Sequence, residues 1–312
     1  MDVVLLFPGQ GSQKPGMAKD LAHTSPAARQ VFDVVDRTLG VPLSTLAFQG
    51  PEEQLTETKN AQPALLAHGA AVWAMTKDQL APHVRAAAGH SLGEFTAYHA
   101  AGALSLSDAA TLVRRRGELM YESGLERPGA MAAILGLEEA KVEEACRRAS
   151  VDGAVVVPAN YNTPEQLVIS GEIAAVERAM ELAKELGAKR AVRLKVSGAF
   201  HSPLMEVARD GLRDELTKAS FSAPTFPVFC NVDARPVTDV GEARRLLLEQ
   251  LTSPVRWTDV VRALVTTYPA ALFVEMGPGN VLTTLTKRIA AGVKTATSGT
   301  AAEVNQLLGM VS

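Results

Sequence analysis

The chain has 312 residues, 47% of them hydrophobic, and this length can bury one large core with a smaller domain beside it. Its formal net charge of −3 argues against nucleic acid or an anionic membrane surface as a partner. The two cysteines, Cys146 and Cys230, show no metal-ligand or disulfide spacing, which is typical of a reducing cytosol. Residues 1–8 stop at a proline after a short apolar run and predict neither a signal peptide nor a membrane span. We therefore expect a cytoplasmic protein without a metal site.

Strands and helices alternate through the first part of the chain. The predicted elements are a strand at 3–7, a turn-rich segment at 8–13, a long helix at 61–80, a strand at 84–88, a helix at 92–101 and a helix at 107–121. Ser105 or Ser107 is the expected N-cap of the last helix. This alternation predicts an α/β fold with a mostly parallel sheet.

A different pattern follows between residues 129 and 197. The predicted elements there are strands at 131–135, 155–157, 166–169 and 191–196 and helices at 137–149 and 173–186. Their order, βαββαβ, is that of a ferredoxin-like domain. We therefore predict a large domain formed by 1–128 and 198–312, with a small ferredoxin-like domain inserted at 129–197. A late strand at 271–274 and the turn after it belong to the large domain.

The stretch GHSLG at residues 89–93 places Ser91 between two glycines. Chance alone produces such a pattern in roughly one chain in ten of this length. A predicted strand before it and a helix after it are, however, the setting of a nucleophile elbow. Glycines permit the tight turn, and the start of the helix offers N–H groups that can stabilise an oxyanion. The pattern favours Ser91 as a nucleophile.

A serine nucleophile needs a base, and the chain has six histidines. Three of them have contexts typical of surface or packing residues: His23, His68 and His83. His90 adjoins the nucleophile and is expected to line its pocket, whereas His99 lies more than about two helical turns away. His201 follows the last predicted strand of the insertion, where the chain returns to the large domain, and such junctions often carry catalytic loops. It is the leading candidate, although the residues alone do not exclude a structural role.

Arg116 interrupts an apolar helix face. Ala109, Leu112, Val113 and Met120 share its side of the predicted helix. One interpretation is an arginine at the edge of the stripe, paired with a structural carboxylate. The other is a guanidinium that holds an anionic substrate. The helix pattern leaves both open.

Six segments in order resemble the malonyl-CoA:acyl carrier protein transacylase family, from residue 7 to about residue 291. They are FPGQGSQ at 7–13, GHSLGE at 89–94, RRG at 115–117, NYNTP at 160–164, GAFHS at 198–202 and GPG at 277–279. The resemblance implies an α/β-hydrolase-like large domain with an inserted ferredoxin-like domain. It also implies transfer of a malonyl group from malonyl-CoA to the phosphopantetheine thiol of acyl carrier protein, supplying fatty-acid elongation without a cofactor.

The resemblance implies roles for individual residues of the reaction centre. Ser91 would carry the malonyl group, His201 would act as base and then as acid, and the Gln250 carbonyl would orient the histidine. The backbone N–H groups of Gln10 and Leu92 would form the oxyanion hole.

The same resemblance implies a substrate pocket. Arg116 would hold the malonyl carboxylate, and His90, Asn160 and Phe200 would contribute to the pocket. Phe200 directly before His201 resembles malonyl-selective rather than methylmalonyl-selective acyltransferases.

Three alternatives remain at this point. The first is a malonyl transferase of a polyketide or malonate decarboxylase pathway. The second is a serine thioesterase or hydrolase, and the third is a non-catalytic subunit that docks a carrier protein.

We expect a monomer that attracts its acidic carrier through a local basic surface. The candidates are Lys189, Arg190, Arg193 and Lys195, of which the last two would share one face of a strand. A merely solvated strand edge is the alternative for this cluster.

Overall fold

The first strand is apolar at every position because both of its faces are covered. In the computed structural model, which describes residues 1–196 and 198–311, this strand is β1 (Val3–Phe7). Val3, Leu5 and Phe7 contact one hydrophobic core, and Val4 and Leu6 contact another. A strand buried on both faces is characteristic of the centre of a parallel sheet between helical layers.

The other strands are β2 (Val84–Gly89), β3 (Gly129–Leu135), β4 (Val156–Thr163), β5 (Gln166–Glu172), β6 (Arg190–Arg193), β7 (Val228–Phe229), β8 (Pro236–Val237), β9 (Leu272–Glu275) and β10 (Lys294–Thr297). The helices are α1 (Lys19–Thr24), α2 (Pro26–Leu39), α3 (Leu43–Gln49), α4 (Glu52–Thr56), α5 (Thr58–Leu80), α6 (Gly93–Ala100), α7 (Leu106–Glu126), α8 (Glu139–Ala149), α9 (Ile173–Glu185), α10 (Glu206–Lys218), α11 (Val240–Glu249), α12 (Trp257–Thr267), α13 (Val281–Ile289) and α14 (Ala301–Val311). Among the described residues, no helix has the length and apolar composition needed to cross a membrane.

The large sheet has the strand order β10-β9-β1-β2-β7-β8. All neighbours in it run parallel except β7 and β8. The carboxyl ends of the parallel strands therefore meet at one edge, which is where open α/β sheets bind their ligands. This sheet confirms the predicted α/β class.

The second sheet has the order β4-β5-β3-β6, and every pair in it is antiparallel. With α8 and α9 in the connections, the chain order is the predicted βαββαβ of a ferredoxin-like unit. The unit has a hydrophobic core of its own, which includes Ile134, Val142 and Val176. The exact division of the chain at 128/129 and 197/198 stays a prediction, and Ser197 lies outside the described residues.

The last strand of this unit is shorter than predicted. The sequence predicts a strand over 191–196, whereas β6 ends at Arg193. Leu194 and Val196 pack against the core of the large sheet, so the chain leaves the small sheet there. The prediction that Arg193 and Lys195 share one strand face is therefore wrong, because Lys195 lies beyond β6.

Candidate active site

Ser91 lies at a sharp turn between β2 and α6. Its φ of 52° is in the left-handed region, which a residue with a side chain adopts only when its surroundings hold it there. The turn follows the carboxyl end of a central parallel strand, as the elbow interpretation predicts.

Two glycines make this turn possible. A Cβ atom at Gly89 would lie 1.9 Å from the carbonyl carbon of Gly93, and one at Gly93 would lie 2.1 Å from the carbonyl oxygen of Phe7. Side chains at either position would push helix α6 away from the sheet. The close approach therefore depends on glycine at both sites.

His201 is the histidine that reaches Ser91. Its Nε2 lies 2.8 Å from Ser91 Oγ, and its Nδ1 lies 2.9 Å from the backbone oxygen of Gln250. A carbonyl only accepts hydrogen bonds, so the neutral ring carries its proton on Nδ1 and presents the Nε2 lone pair to the serine hydroxyl.

Burial sets the charge of this histidine. His201 is 3% exposed, and burial together with the nearby Arg116 charge lowers its pKa to about 3. The ring is therefore neutral at pH 7 and able to accept the hydroxyl proton.

Arg116 points into the same site. It is 1% exposed, and its Nη2 donates to Ser91 Oγ at 3.0 Å and to Gln250 Oε1 at 2.9 Å. Its Nη1 donates to Gln62 Oε1 at 2.8 Å. Burial lowers its pKa to about 10, which still leaves it charged at neutral pH. Of the two interpretations of the helix pattern, the one that aims a guanidinium at a pocket agrees with this geometry.

A cleft of about 410 Å³ opens onto these groups, and its walls include residues of the small sheet and of the loops that follow β1 and β2. The predicted site residues that line it are Gln10, His90, Ser91, Leu92, Arg116, Asn160, Phe200 and His201. Gln250 is buried behind them with no exposed surface. Among the described residues, the backbone N–H groups of Gln10 and Leu92 have no hydrogen-bond acceptor, so both remain available to a bound group. The described residues contain no cluster of three or more potential metal ligands.

Comparison with known proteins agrees with this site. Residues 4–310 match the acyl transferase domain family. The chain belongs to this family. It is 45% identical over 294 residues to the malonyl CoA-acyl carrier protein transacylase of Bacillus subtilis (strain 168), covering 94% of this chain and 92% of the relative.

Solved structures of the family superpose closely on the chain. The acyl-carrier-protein-S-malonyltransferase of Bartonella henselae has a TM-score of 0.95 and 42% identity, covering 100% of this chain and 99% of its own. A malonyl-transacylase solved in complex with its type II polyketide synthase acyl-carrier protein also has a TM-score of 0.95, with 41% identity, covering 99% of this chain and 100% of its own. The protein is therefore an acyltransferase.

Three buried polar residues of this acyltransferase were missed by sequence reasoning: Gln62, Glu94 and Asn231. Burial raises the pKa of Glu94 to about 7, and hydrogen bonds and the Arg116 charge oppose that shift. Glu94 lies inside the GHSLGE segment, where an acidic residue in the first turn of the helix was a visible signal. The other two lie in no recognisable motif.

His90 does not contact the Ser91–His201 pair through a hydrogen bond. Its Nε2 lies 2.8 Å from Asn162 Oδ1, and burial lowers its pKa. His90 is therefore a wall of the cleft, as the sequence predicts, and Asn162 keeps its ring in place.

The four predicted docking residues of this acyltransferase are exposed: Lys189, Arg190, Arg193 and Lys195. Lys195 also lines the rim of the cleft. Arg193 forms a surface ion pair with Glu177 at 3.0 Å. The cluster is thus accessible, and part of its charge is already paired.

Proposed function

We propose that this protein transfers a malonyl group from malonyl-CoA to the phosphopantetheine thiol of an acyl carrier protein through a malonyl-Ser91 ester. The observation that carries the proposal is the buried, charged Arg116, whose Nη2 lies 3.0 Å from Ser91 Oγ. A cation at that place suits an acyl group that ends in a carboxylate.

The first half-reaction forms the ester. Ser91 Oγ attacks the thioester carbonyl while His201 Nε2 takes the hydroxyl proton. The tetrahedral oxyanion is stabilised by the N–H groups of Gln10 and Leu92, and the Gln250 carbonyl stabilises the imidazolium. The C–S bond then breaks, and the coenzyme A thiolate receives the proton from His201.

The second half-reaction runs in the opposite sense. The carrier thiol gives its proton to His201 and attacks the malonyl ester, and Ser91 Oγ leaves and is reprotonated. Two half-reactions through one covalent intermediate give ping-pong kinetics. Because the thioester brings its own leaving group, the reaction requires neither a metal nor a redox cofactor.

Intact-protein mass spectrometry after mixing with malonyl-CoA tests the proposal. We expect an adduct of malonyl mass on Ser91 that persists in buffer and disappears when holo carrier protein is added. The Ser91→Ala variant is expected to form no adduct. Rapid loss of the adduct to water, independent of the carrier, would instead identify a hydrolase, and a wild type that never forms an adduct would favour a non-catalytic docking subunit.

The exposed cluster of Lys189, Arg190, Arg193 and Lys195 is our proposed carrier surface. It lies at the end of the inserted unit and reaches the cleft rim at Lys195. Reversing Lys189 and Arg190 to glutamate is expected to raise the KM for the carrier, more at low salt, without slowing malonylation by malonyl-CoA. Lys77→Glu is the matched control because its exposed charge lies in the last turn of α5, which leads into the start of β2, whereas Ser91 follows the end of β2. Equal KM values for both variants across ionic strengths would place docking elsewhere.

A second candidate differs only in the carrier. The solved malonyl-transacylase in complex with a type II polyketide carrier is 41% identical to this chain, so a polyketide carrier is an alternative to that of fatty-acid synthesis. Comparing kcat/KM for the two carriers decides between them.

We also propose a cytoplasmic monomer. The free, buried thiols of Cys146 and Cys230 suit a reducing compartment, and one chain supplies Ser91, His201 and Arg116. Light scattering checks the monomer.

A further inference from the structure

The strained backbone at Ser91 is held by side chains on both sides of the residue. Its N–H donates to Asn231 Oδ1 at 2.7 Å, and its carbonyl accepts from Gln250 Nε2 at 3.0 Å. Since a left-handed φ at a non-glycine residue costs about 1–3 kcal/mol, such a conformation persists only where neighbours fix it. Asn231 and Gln250 are the neighbours that do so.

Asn231 also reaches the strand before the turn. Its Nδ2 donates to the carbonyl of Gly89 at 2.8 Å, so one side-chain amide bridges the two residues that flank His90. Asn231 has no exposed surface and follows β7, the strand beside β2 at the carboxyl edge of the sheet. The end of one strand thereby fixes the turn that leaves its neighbour.

Glu94 connects the two residues whose side chains hold Ser91. Its Oε2 accepts from the backbone N–H of Asn231 at 3.1 Å and from Gln250 Nε2 at 2.8 Å. Glu94 has no exposed surface and lies in the first turn of α6. One carboxylate oxygen therefore orients both residues.

Gln250 extends these hydrogen bonds to His201, the proposed base, and to Arg116, the proposed binding group for the substrate carboxylate. Its backbone oxygen accepts from His201 Nδ1, and its side-chain oxygen accepts from Arg116 Nη2. A rotation of the Gln250 side chain would thus remove a contact to Ser91 and one to Arg116 together.

We infer that Asn231 and Glu94 are positioning residues that hold Ser91 and Gln250 in register with His201, so that Ser91 Oγ stays within hydrogen-bond distance of the base. The inference rests on the proposed function, in which Ser91 is the nucleophile. Neither residue touches the substrate in this scheme. Both act through Ser91 and Gln250, and a misplacement of about 1 Å in such a geometry costs about 100-fold in rate.

Rapid-quench measurement of Ser91 malonylation tests the inference in Asn231→Ala, Glu94→Ala and Glu94→Gln. We expect Asn231→Ala to lower the acylation rate constant about 100-fold and leave the KM for malonyl-CoA unchanged, because its side chain does not touch Arg116. Glu94→Ala is expected to be similarly slow. Glu94→Gln keeps an oxygen that can accept both hydrogen bonds, so its rate is expected to be closer to that of the wild type than to that of Glu94→Ala.

Glu275→Gln is the matched control. Glu275 is also a fully buried carboxylate, and it accepts from the N–H groups of Leu282 and Thr283 at 2.9 and 2.7 Å. It lies at the end of β9, on the other side of β1 from β2, the strand that leads into the elbow. Its amide variant loses one of those hydrogen bonds and is expected to melt at a lower temperature while keeping the acylation rate. Rates are compared below the melting transition of every variant.

Sulfonylation of Ser91 by phenylmethanesulfonyl fluoride gives a readout that needs no malonyl group. An Oγ–S bond forms, fluoride leaves and His201 takes the hydroxyl proton, so the rate reports the serine–histidine geometry alone. We expect the same order of variants as in malonylation. Where the alanine variants do not fold, Asn231→Asp keeps the side-chain shape but loses the donor to Gly89, and it is expected to be slow in both assays.

Folded Asn231 and Glu94 variants that acylate and sulfonylate as fast as the Glu275→Gln control would overturn the inference. A KM that rises while the rate constant is unchanged would do the same. A wild type that sulfonylates Ser91 but never takes up a malonyl group would instead overturn the proposed function and leave the positioning roles intact.

Discussion

Replacing Arg116 with alanine separates substrate selectivity from the chemistry of Ser91. The guanidinium is 1% exposed and lies 3.0 Å from Ser91 Oγ, so a malonyl carboxylate that pairs with it is removed from water with it. Removing one partner of a buried ion pair costs about 3–5 kcal/mol. We therefore expect kcat/KM for malonyl-CoA to fall by a factor of roughly 150 to 5,000.

Acetyl-CoA responds differently because it brings no carboxylate. In the wild type it leaves a buried cation without an anionic partner, and Arg116→Ala removes that cost. The ratio of kcat/KM for malonyl-CoA over acetyl-CoA is therefore expected to fall by at least about 10². Rapid quench followed by intact-mass detection of the acyl-enzyme measures both substrates with the same readout.

Arg115→Ala is the matched control for this experiment. Arg115 directly precedes it on the same helix, but its side chain is 37% exposed and pairs with Glu118 and Glu122 at the surface. Its loss is expected to leave the ratio unchanged. An Arg116→Ala protein that folds and keeps the wild-type preference for malonyl-CoA would refute the selectivity role and make the arginine structural.

Four further substitutions test other parts of the molecule. His201→Ala is expected to slow both half-reactions by about 10²- to 10⁴-fold, which single-turnover assays with malonyl-CoA and with holo carrier measure. His68→Gln addresses acid stability: burial lowers the pKa of His68 from 6.5 to about 4, so the unfolded chain binds the proton more tightly and stability is lost as the pH falls from 6.5 towards 4. At pH 5 the wild type is expected to lose about 2 kcal/mol more than the variant, relative to pH 8, in urea unfolding, and equal losses would contradict this. Gly93→Ala is expected to fold poorly because its Cβ would lie 2.1 Å from a backbone oxygen, whereas Gly309→Ala, with nothing within 4 Å, is expected to be about 0.4–1 kcal/mol more stable than the wild type. Similar unfolding curves for both glycine variants would show that the elbow has room for a methyl group.

The sequence predicts those parts of the fold in which local pattern and burial agree. β1 is a short apolar run closed by a proline, and the glycines around Ser91 mark a turn that the structure places where it was expected. The βαββαβ order of the insertion could be predicted because the spacing of apolar residues in each of its elements is that of a strand or of a helix. The end of β6 was placed wrongly because Leu194 and Val196 continue the apolar alternation while packing on the other core.

The site divides in the same way. Ser91 could be predicted from its neighbours along the chain. His201 is 110 positions away, and comparison of the six histidines made it only the leading candidate, so its role as the base rested on the family resemblance. Nothing in the sequence indicated a role for Asn231, because its contacts depend on β7 lying beside β2. β7 has only two residues, which is too short for hydrophobic periodicity to predict it. Gln62 was hidden within the apolar run of α5, where nothing in the pattern indicates that it meets Arg116.

In the proposed mechanism, Arg116 couples selectivity to the strength of the base. After burial, its positive charge is the largest cause of the lowered pKa of His201. A malonyl carboxylate paired with the guanidinium, as we propose, would offset that charge and make the imidazole a stronger base. An acetyl group leaves the charge unopposed and meets a weaker base. The pKa seen in the pH profile of the acylation rate constant should therefore be higher with malonyl-CoA than with acetyl-CoA, and the difference should vanish in Arg116→Ala. If one side chain acts on both binding and proton transfer in this way, an uncharged acyl group is expected to be disfavoured at each step.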